Sequence, residues 1–196
     1  MTGRLAAVLA LAALAGCRTL PVAPVAAPDE AARAAIAALA DWQASGRVAV
    51  RAGEQGFNAS FEWREAGGAG DIGVHGPLGA GAVRIHRTAE AIRIESGNAA
   101  PLEVPAPFTA LEPELIARLG FPLPLDRLRF WVRGVPDPGF PATPVADGFV
   151  QADWQVTVLA RVAVAGAPGA LPGRLTLSRE ATRIRVLVDH WRVGAP

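Results

Sequence analysis

Cys17 is the residue whose surroundings best fit a covalent modification. It is the only cysteine among 196 residues and follows Leu14-Ala15-Gly16. Arg4 supplies a positive start, and Leu5 to Ala13 form an apolar run of Leu, Ala and Val. That run is too short to span a bilayer and has the flanks of a secretory signal. Small residues before a cysteine read as a lipobox, in which the thiol receives a diacylglycerol, the preceding peptide is cut away and the freed amine is acylated. The spacing predicts a signal peptide over residues 1–16 and lipidation at Cys17, with acyl chains rather than a helix holding the mature chain to a membrane. The alternative, an ordinary cleaved signal, leaves an unexplained exported free thiol. Catalytic patterns are poor. His75, His86 and His190 share no metal-like spacing. Asp189 and His190 are strand neighbours that should point to opposite faces. Neither a Gly-x-Ser-x-Gly elbow nor a phosphate-cradling glycine loop is present. The chain is expected not to be an enzyme and to need neither metal nor cofactor.

Every cation is an arginine, because the sequence has no lysine. Removing residues 1–16 takes away Arg4 and no acid, so the formal charge of +1 falls to zero in the mature chain. A neutral balance argues against nucleic acid as a partner. After Cys17 no second cysteine is available for an intramolecular disulfide, so the fold must rest on packing.

The elements that must position any site change character along the chain. Residues 17–28, the lipidated terminus, are a Pro/Ala/Val tether with prolines at 21, 24 and 28. It should run extended at about 3.1 Å per residue and lift the domain roughly 30 Å from the membrane. Residues 29–196 form one domain. Asp29 can cap a helix over Glu30–Trp42. Period-two alternation follows at Arg47–Arg51, Phe57–Arg64, Asp71–His75, Ala82–Thr88 and Ala91–Ser96, and returns at Gln155–Val162, Arg174–Ser178 and Thr182–Val193. Gly53–Gly56, Gly67–Gly70, Thr88–Ala91 and Gly166–Gly169 punctuate the runs as hairpin turns. Between Pro101 and Pro144 lie 10 of the 17 prolines. Interior strands cannot hold that density, and two short helices, Pro113–Leu119 and Leu125–Val132, are expected there. The strands are half polar, so about ten of them should form one curved antiparallel sheet with an apolar concave side. The fold class is mainly β: an incomplete β-barrel with an α-helical lid over an apolar cavity, unless large side chains simply fill the hollow.

Gly120-Phe-Pro-Leu-Pro-Leu-Asp-Arg-Leu-Arg-Phe-Trp-Val-Arg-Gly-Val-Pro-Asp-Pro138 resembles the signature of the LolB family of outer-membrane lipoprotein receptors. Trp42…Gly46-Arg47, Phe61-Glu-Trp63, Gly76-Pro-Leu-Gly79, Gln151…Trp154, Leu171-Pro172 and Arg185-Val-Leu-Val-Asp-His-Trp191 match in order. The resemblance implies an unclosed barrel and localisation at the outer membrane, lipid-anchored and facing the periplasm. It implies acceptance of acylated lipoproteins from the soluble carrier LolA and their insertion into the inner leaflet, with phospholipid as a further partner and a monomeric state. Arg18 after the cysteine is compatible with that placement. The chain departs from the pattern in lacking tyrosine and in carrying Val158 where an aromatic is expected.

Candidate site residues follow. The resemblance makes Leu78, flanked by Pro77 and Gly79, a protruding leucine that engages lipid; by itself it is a loop leucine, tucked back or simply exposed. Phe61, Trp63, Ile116, Leu119, Leu128 and Trp131 are walls of an acyl-chain cavity or plain core, since the two share one chemistry. Arg47 is either a solvated residue or, through the matched motif, a hydrogen-bond partner of the lid. The competing function is a structural envelope lipoprotein with a solid core that binds another envelope component.

Overall fold

A computed structural model of the chain describes residues 25–76, 82–97, 99–119 and 121–194. Eleven strands form one antiparallel sheet: β1 (Trp42–Ala52), β2 (Gln55–Ala66), β3 (Ala69–His75), β4 (Val83–Arg87), β5 (Ala91–Ser96), β6 (Leu102–Pro105), β7 (Thr143–Val145), β8 (Gly148–Gln151), β9 (Trp154–Val162), β10 (Leu171–Arg179) and β11 (Thr182–Val193). Their order is β6-β5-β4-β3-β2-β1-β11-β10-β9-β8-β7, so the first and last strands pair in the middle and the sheet does not close. Every expected strand is present. The proline-rich stretch differs from expectation, because β6 and β7 lie within it. Both are sheet edges, where Pro105 and Pro144 need not donate to a neighbour on their outer side. Interior strands are excluded there, as the sequence implied.

Since β6 and β7 stand at opposite edges, the chain between them has to cross the open side of the sheet. It does so with α2 (Leu111–Leu119) and α3 (Leu128–Trp131), after α1 (Glu30–Ala37) at the N-terminus. The Asp29 carboxylate caps α1 by accepting from Ala32 N at 2.8 Å. α1 stops five residues before the expected Trp42, because Trp42 already pairs with Glu65 and Val193 as a strand residue. α3 is a single turn rather than the expected Leu125–Val132, with turns either side of it.

Burial follows the alternation. Along β2, Ala59, Phe61, Trp63 and Glu65 are buried while Ser60, Glu62 and Arg64 are exposed. One register shift falls between Ser45 and Gly46, leaving Asp189 of β11 unmatched. Such a bulge bends the sheet and sharpens its twist. Gly46 is required at this point, since a Cβ there would lie 2.0 Å from Leu187 O.

Candidate functional site

The concave face is built by inward-facing residues of every long strand. One cluster joins Trp42, Ala44, Phe61, Trp63, Ile72, Ile85 and Ile92 to Leu111 and Leu115 of α2. The other joins Ile36, Trp131, Phe149, Trp154, Val156, Leu175 and Leu177. Leu128, Leu123 and Trp191 pack on both, so the two halves form one apolar surface. Aromatic rings are concentrated in it. Trp42 lies 5.2 Å from Trp63 and 5.6 Å from Trp191, and Trp131 lies 6.3 Å from both Phe149 and Trp154.

Of the expected wall residues, Phe61, Trp63 and Trp131 are buried in this surface and Leu128 joins its halves. Ile116 is not: it is 42% exposed. Leu111 and Leu115, one helical turn apart, define the inward side of α2, and Ile116 follows Leu115 by about 100° of rotation. The Leu119 side chain lies outside the described residues, as do Pro77, Leu78, Gly79 and Cys17. Ile116 and Phe57, itself 45% exposed, are large apolar groups left at the surface. Phe57 lies 6.0 Å from Phe121, ring to ring. The start of α2 is fastened to the sheet by Arg179 of β10, which donates to Glu112 at 2.5 Å.

Of the two places expected for Arg47, the structure shows the solvent-facing one rather than a bond to the lid. Arg47 is exposed on the outer face and donates to Asp189 at 3.0 and 3.2 Å. That hydrogen bond holds the Asp189 carboxyl below its ordinary value. Strand parity sends Arg47 outward, away from the helices, and the bulge presents Asp189 to it. The same bulge overturns the expectation that Asp189 and His190 face opposite ways, since both are exposed.

Buried polar residues inside the matched motifs were given no role by sequence reasoning. Arg133, only 2% exposed, donates to Ile36 O at 2.6 Å, Leu39 O at 3.0 Å and Arg129 O at 2.8 Å. It thereby satisfies carbonyls at the end of α1, a usual role for a cation. Burial lowers its pKa to about 10, so it is still charged at neutral pH. Gln151 accepts from Trp131 Nε1 at 2.8 Å and Asp137 N at 2.9 Å, and donates to Asp137 O and Phe140 O, both at 2.9 Å. Glu65 accepts from Trp63 Nε1 at 2.9 Å and from Arg87. A charged residue inside Phe130-Trp131-Val132-Arg133-Gly134-Val135 was the available signal for Arg133. Val158, where an aromatic was expected, is buried. A Cβ on Gly134 would come within 3.3 Å of Val158 Cγ2 and 2.8 Å of Pro172 Cγ, so the backbone passes too close for a ring.

Among the described residues, no group of three His, Cys, Asp or Glu could hold a metal ion. His86 pairs with Asp71 at 2.7 Å on the exposed outer face. What the site offers is apolar area under a thin cover, with polar groups that orient its walls.

The family model described as "Outer membrane lipoprotein LolB" matches residues 40–191. The chain belongs to the LolB family. Outer-membrane lipoproteins LolB from Nitrosococcus oceani and Halorhodospira halophila are 32% and 33% identical to it, covering 95% and 97% of this chain and 95% and 98% of theirs. The fold is also that of a LolA superfamily protein from Nitrosomonas europaea, with TM-score 0.52 and 7% identity over 87% of this chain and 96% of that one. Membership makes the protein a lipid-anchored outer-membrane lipoprotein. At the family level its role lies in lipoprotein localisation, not in catalysis. Within the LolB pattern, residues 121–138 contain α3 and Arg133 with its tie to α1, Gln151 holds Trp131, and Arg185–Trp191 lies in the central strand β11.

Proposed function

We propose that this LolB-family protein accepts acylated lipoproteins from a soluble LolA-type carrier and inserts them into the inner leaflet of the outer membrane. The observation that carries the reading is one continuous aromatic-rich concave face covered by a short helix with few attachments. In this reading residues 1–16 are the signal, Cys17 is acylated, residues 17–28 are the tether, and residues 29–196 act as a monomeric receptor.

Magnitudes support a cover that lifts. Each hidden methylene is worth about 0.8 kcal/mol, so exposing one 16-carbon chain to water costs about 12 kcal/mol. The described attachments of α2 are Leu111 and Leu115, worth about 1.5–3 kcal/mol each, and the partly exposed Arg179–Glu112 pair, worth about 1 kcal/mol or less. Lifting α2 therefore costs less than burying a single acyl chain returns. Phe61, Trp63, Leu128 and Trp131 become the wall that the chains meet. Leu78, with Pro77 and Gly79, follows His75–Gly76 and is the lipid-contacting tip.

The side chains of the concave face also pack against one another and the helices, as a scaffold with a solid core would. Transfer separates the readings. The purified carrier is loaded with a triacylated lipoprotein and mixed with the lipid-anchored protein in liposomes. Cargo should leave the carrier and appear in the bilayer. Cargo that stays on the carrier, with both proteins folded, would favour the scaffold.

A further inference from the structure

The outer face of the sheet divides into two electrostatic halves. On β2 to β6, arginines stand opposite acids on the neighbouring strand: Arg64 faces Asp71, Arg84 faces Glu95, and Arg93 faces Glu103. Arg93 also makes ion pairs with Glu95 and Glu103. On β10, β11 and β1, Arg47 with Asp189 is the only such match between neighbouring strands among the described residues. Arg51 stands directly opposite Arg183, Arg185 lies between Ala49 and Thr176, and Arg174 lies opposite Leu187. All four arginines are exposed and none has an ion-pair partner among the described residues. Like charges directly opposed across two strands destabilise a sheet. A neutral mature chain thus gathers unpaired positive charge on one face, at a cost that an anion would remove.

Two adjoining grooves run over this half. One, of about 650 Å³, is lined by Arg47, Arg174, Arg185, Asn58, Ser60 and His75, and the other, of about 370 Å³, by Arg51, Arg183, Arg185 and Glu180. Asp189 is already taken by Arg47, and Glu180 makes no ion pair among the described residues. We propose that the arginine face of β10, β11 and β1 binds the phosphates of anionic phospholipids and so docks the domain on the membrane that anchors it.

Three observations favour a lipid surface over an acidic protein. Protein interfaces are centred on buried aromatic and apolar anchors, and neither groove is lined by a Phe or Trp: Ala49, Thr176, Ser178 and Leu187 stand between the arginines, and the larger groove adds Val48, Ala59 and Val186. Guanidinium groups fit phosphate oxygens through two parallel hydrogen bonds. Position is the third: β3 ends at His75, level with Ser60 and Arg47, running toward the end of the sheet that holds the β1–β2 and β10–β11 turns, and His75 lines the same groove as Arg47, Arg174 and Arg185. The proposal rests on the outer-membrane anchoring of the family and does not depend on cargo transfer.

The test uses the lipid-anchored mature protein in vesicles of phosphatidylcholine, with or without phosphatidylglycerol, carrying a dansyl headgroup label. Energy transfer from the tryptophans reports how near the domain lies to the bilayer. Phosphatidylglycerol should raise it, and about 1 M salt, where the Debye length is near 3 Å, should abolish the rise. Each arginine removed should lower the docked-to-undocked ratio about fivefold. The combined Arg51→Gln, Arg183→Gln, Arg185→Gln variant should lose the response, while Arg64→Gln with Arg84→Gln keeps it. No dependence on phosphatidylglycerol, or an unchanged response in the triple variant, overturns the proposal. A triple variant that docks normally but no longer takes cargo from the carrier assigns the face to a protein partner and overturns it equally.

Discussion

Gln151→Leu offers a direct measure of how the wall of the concave face is held. The amide is 2% exposed and makes four good hydrogen bonds, accepting from Trp131 Nε1 and Asp137 N and donating to Asp137 O and Phe140 O. Leucine conserves most of the volume but supplies none of these partners. Phe140 is exposed, so water can replace the bond to its carbonyl. The indole N–H of Trp131, at 0% exposure, has no such access, and the Asp137 backbone is only partly reachable. Leaving a buried polar group unpaired costs about 1–3 kcal/mol, so the substitution should cost about 3–4 kcal/mol in all. For a domain of this size that corresponds to a fall of about 10 °C in melting temperature. Thermal unfolding followed by far-ultraviolet circular dichroism gives the stability, and tryptophan emission reports whether the Trp131 environment loosens. A loss below about 1 kcal/mol with unchanged emission would refute the reasoning, because water or a neighbour would then be replacing the amide.

Leu78→Glu should leave uptake from the carrier intact and sharply reduce delivery to liposomes, because a charge at a tip entering lipid is unfavourable; normal delivery, or failure at uptake, would contradict the role given to that residue. Cys17→Ala should release a folded, unanchored protein, and an unmodified Cys17 found by mass spectrometry of the native N-terminus would end the lipidation reading. Burial holds the Asp126 carboxyl above its ordinary value despite Arg127 beside it. Its ionised form therefore costs stability above that raised pKa, and the cost disappears as pH falls below the ordinary carboxylate range. Asp126→Asn should raise the melting temperature at neutral pH but not in acid, and a lower value at neutral pH would show that the Arg127 pair outweighs burial.

Much of this protein is written in local pattern. The proposed lipobox is a linear pattern, so the acylation proposed at Cys17 rests on neighbouring residues rather than on tertiary context. Strand alternation is equally local, since side chains on a strand alternate faces at every residue. The pattern therefore puts Phe61 and Trp63 on one face of β2, and Arg47 opposite Val48 and Val50 on β1. The density of prolines after Pro101 excluded interior strands for a reason carried by each residue's own backbone. Tertiary structure decided everything that depends on which strand lies beside which. That β6 and β7 end at opposite edges, forcing the chain between them across the concave face, is a matter of topology. The Arg133 bonds to Ile36 and Leu39 span almost a hundred residues, and the four bonds of Gln151 reach back to Trp131 at the end of α3 and to the Asp137–Phe140 turn. Ile116 was misplaced because a helix's buried side is chosen by what it lies on, and the helical period alone allows either Leu115 or Ile116 to face in. Sequence supplied a neutral total charge. Only register put Arg51 beside Arg183 while giving Arg64, Arg84 and Arg93 their acids, because charge balance is a property of neighbours across strands rather than along the chain.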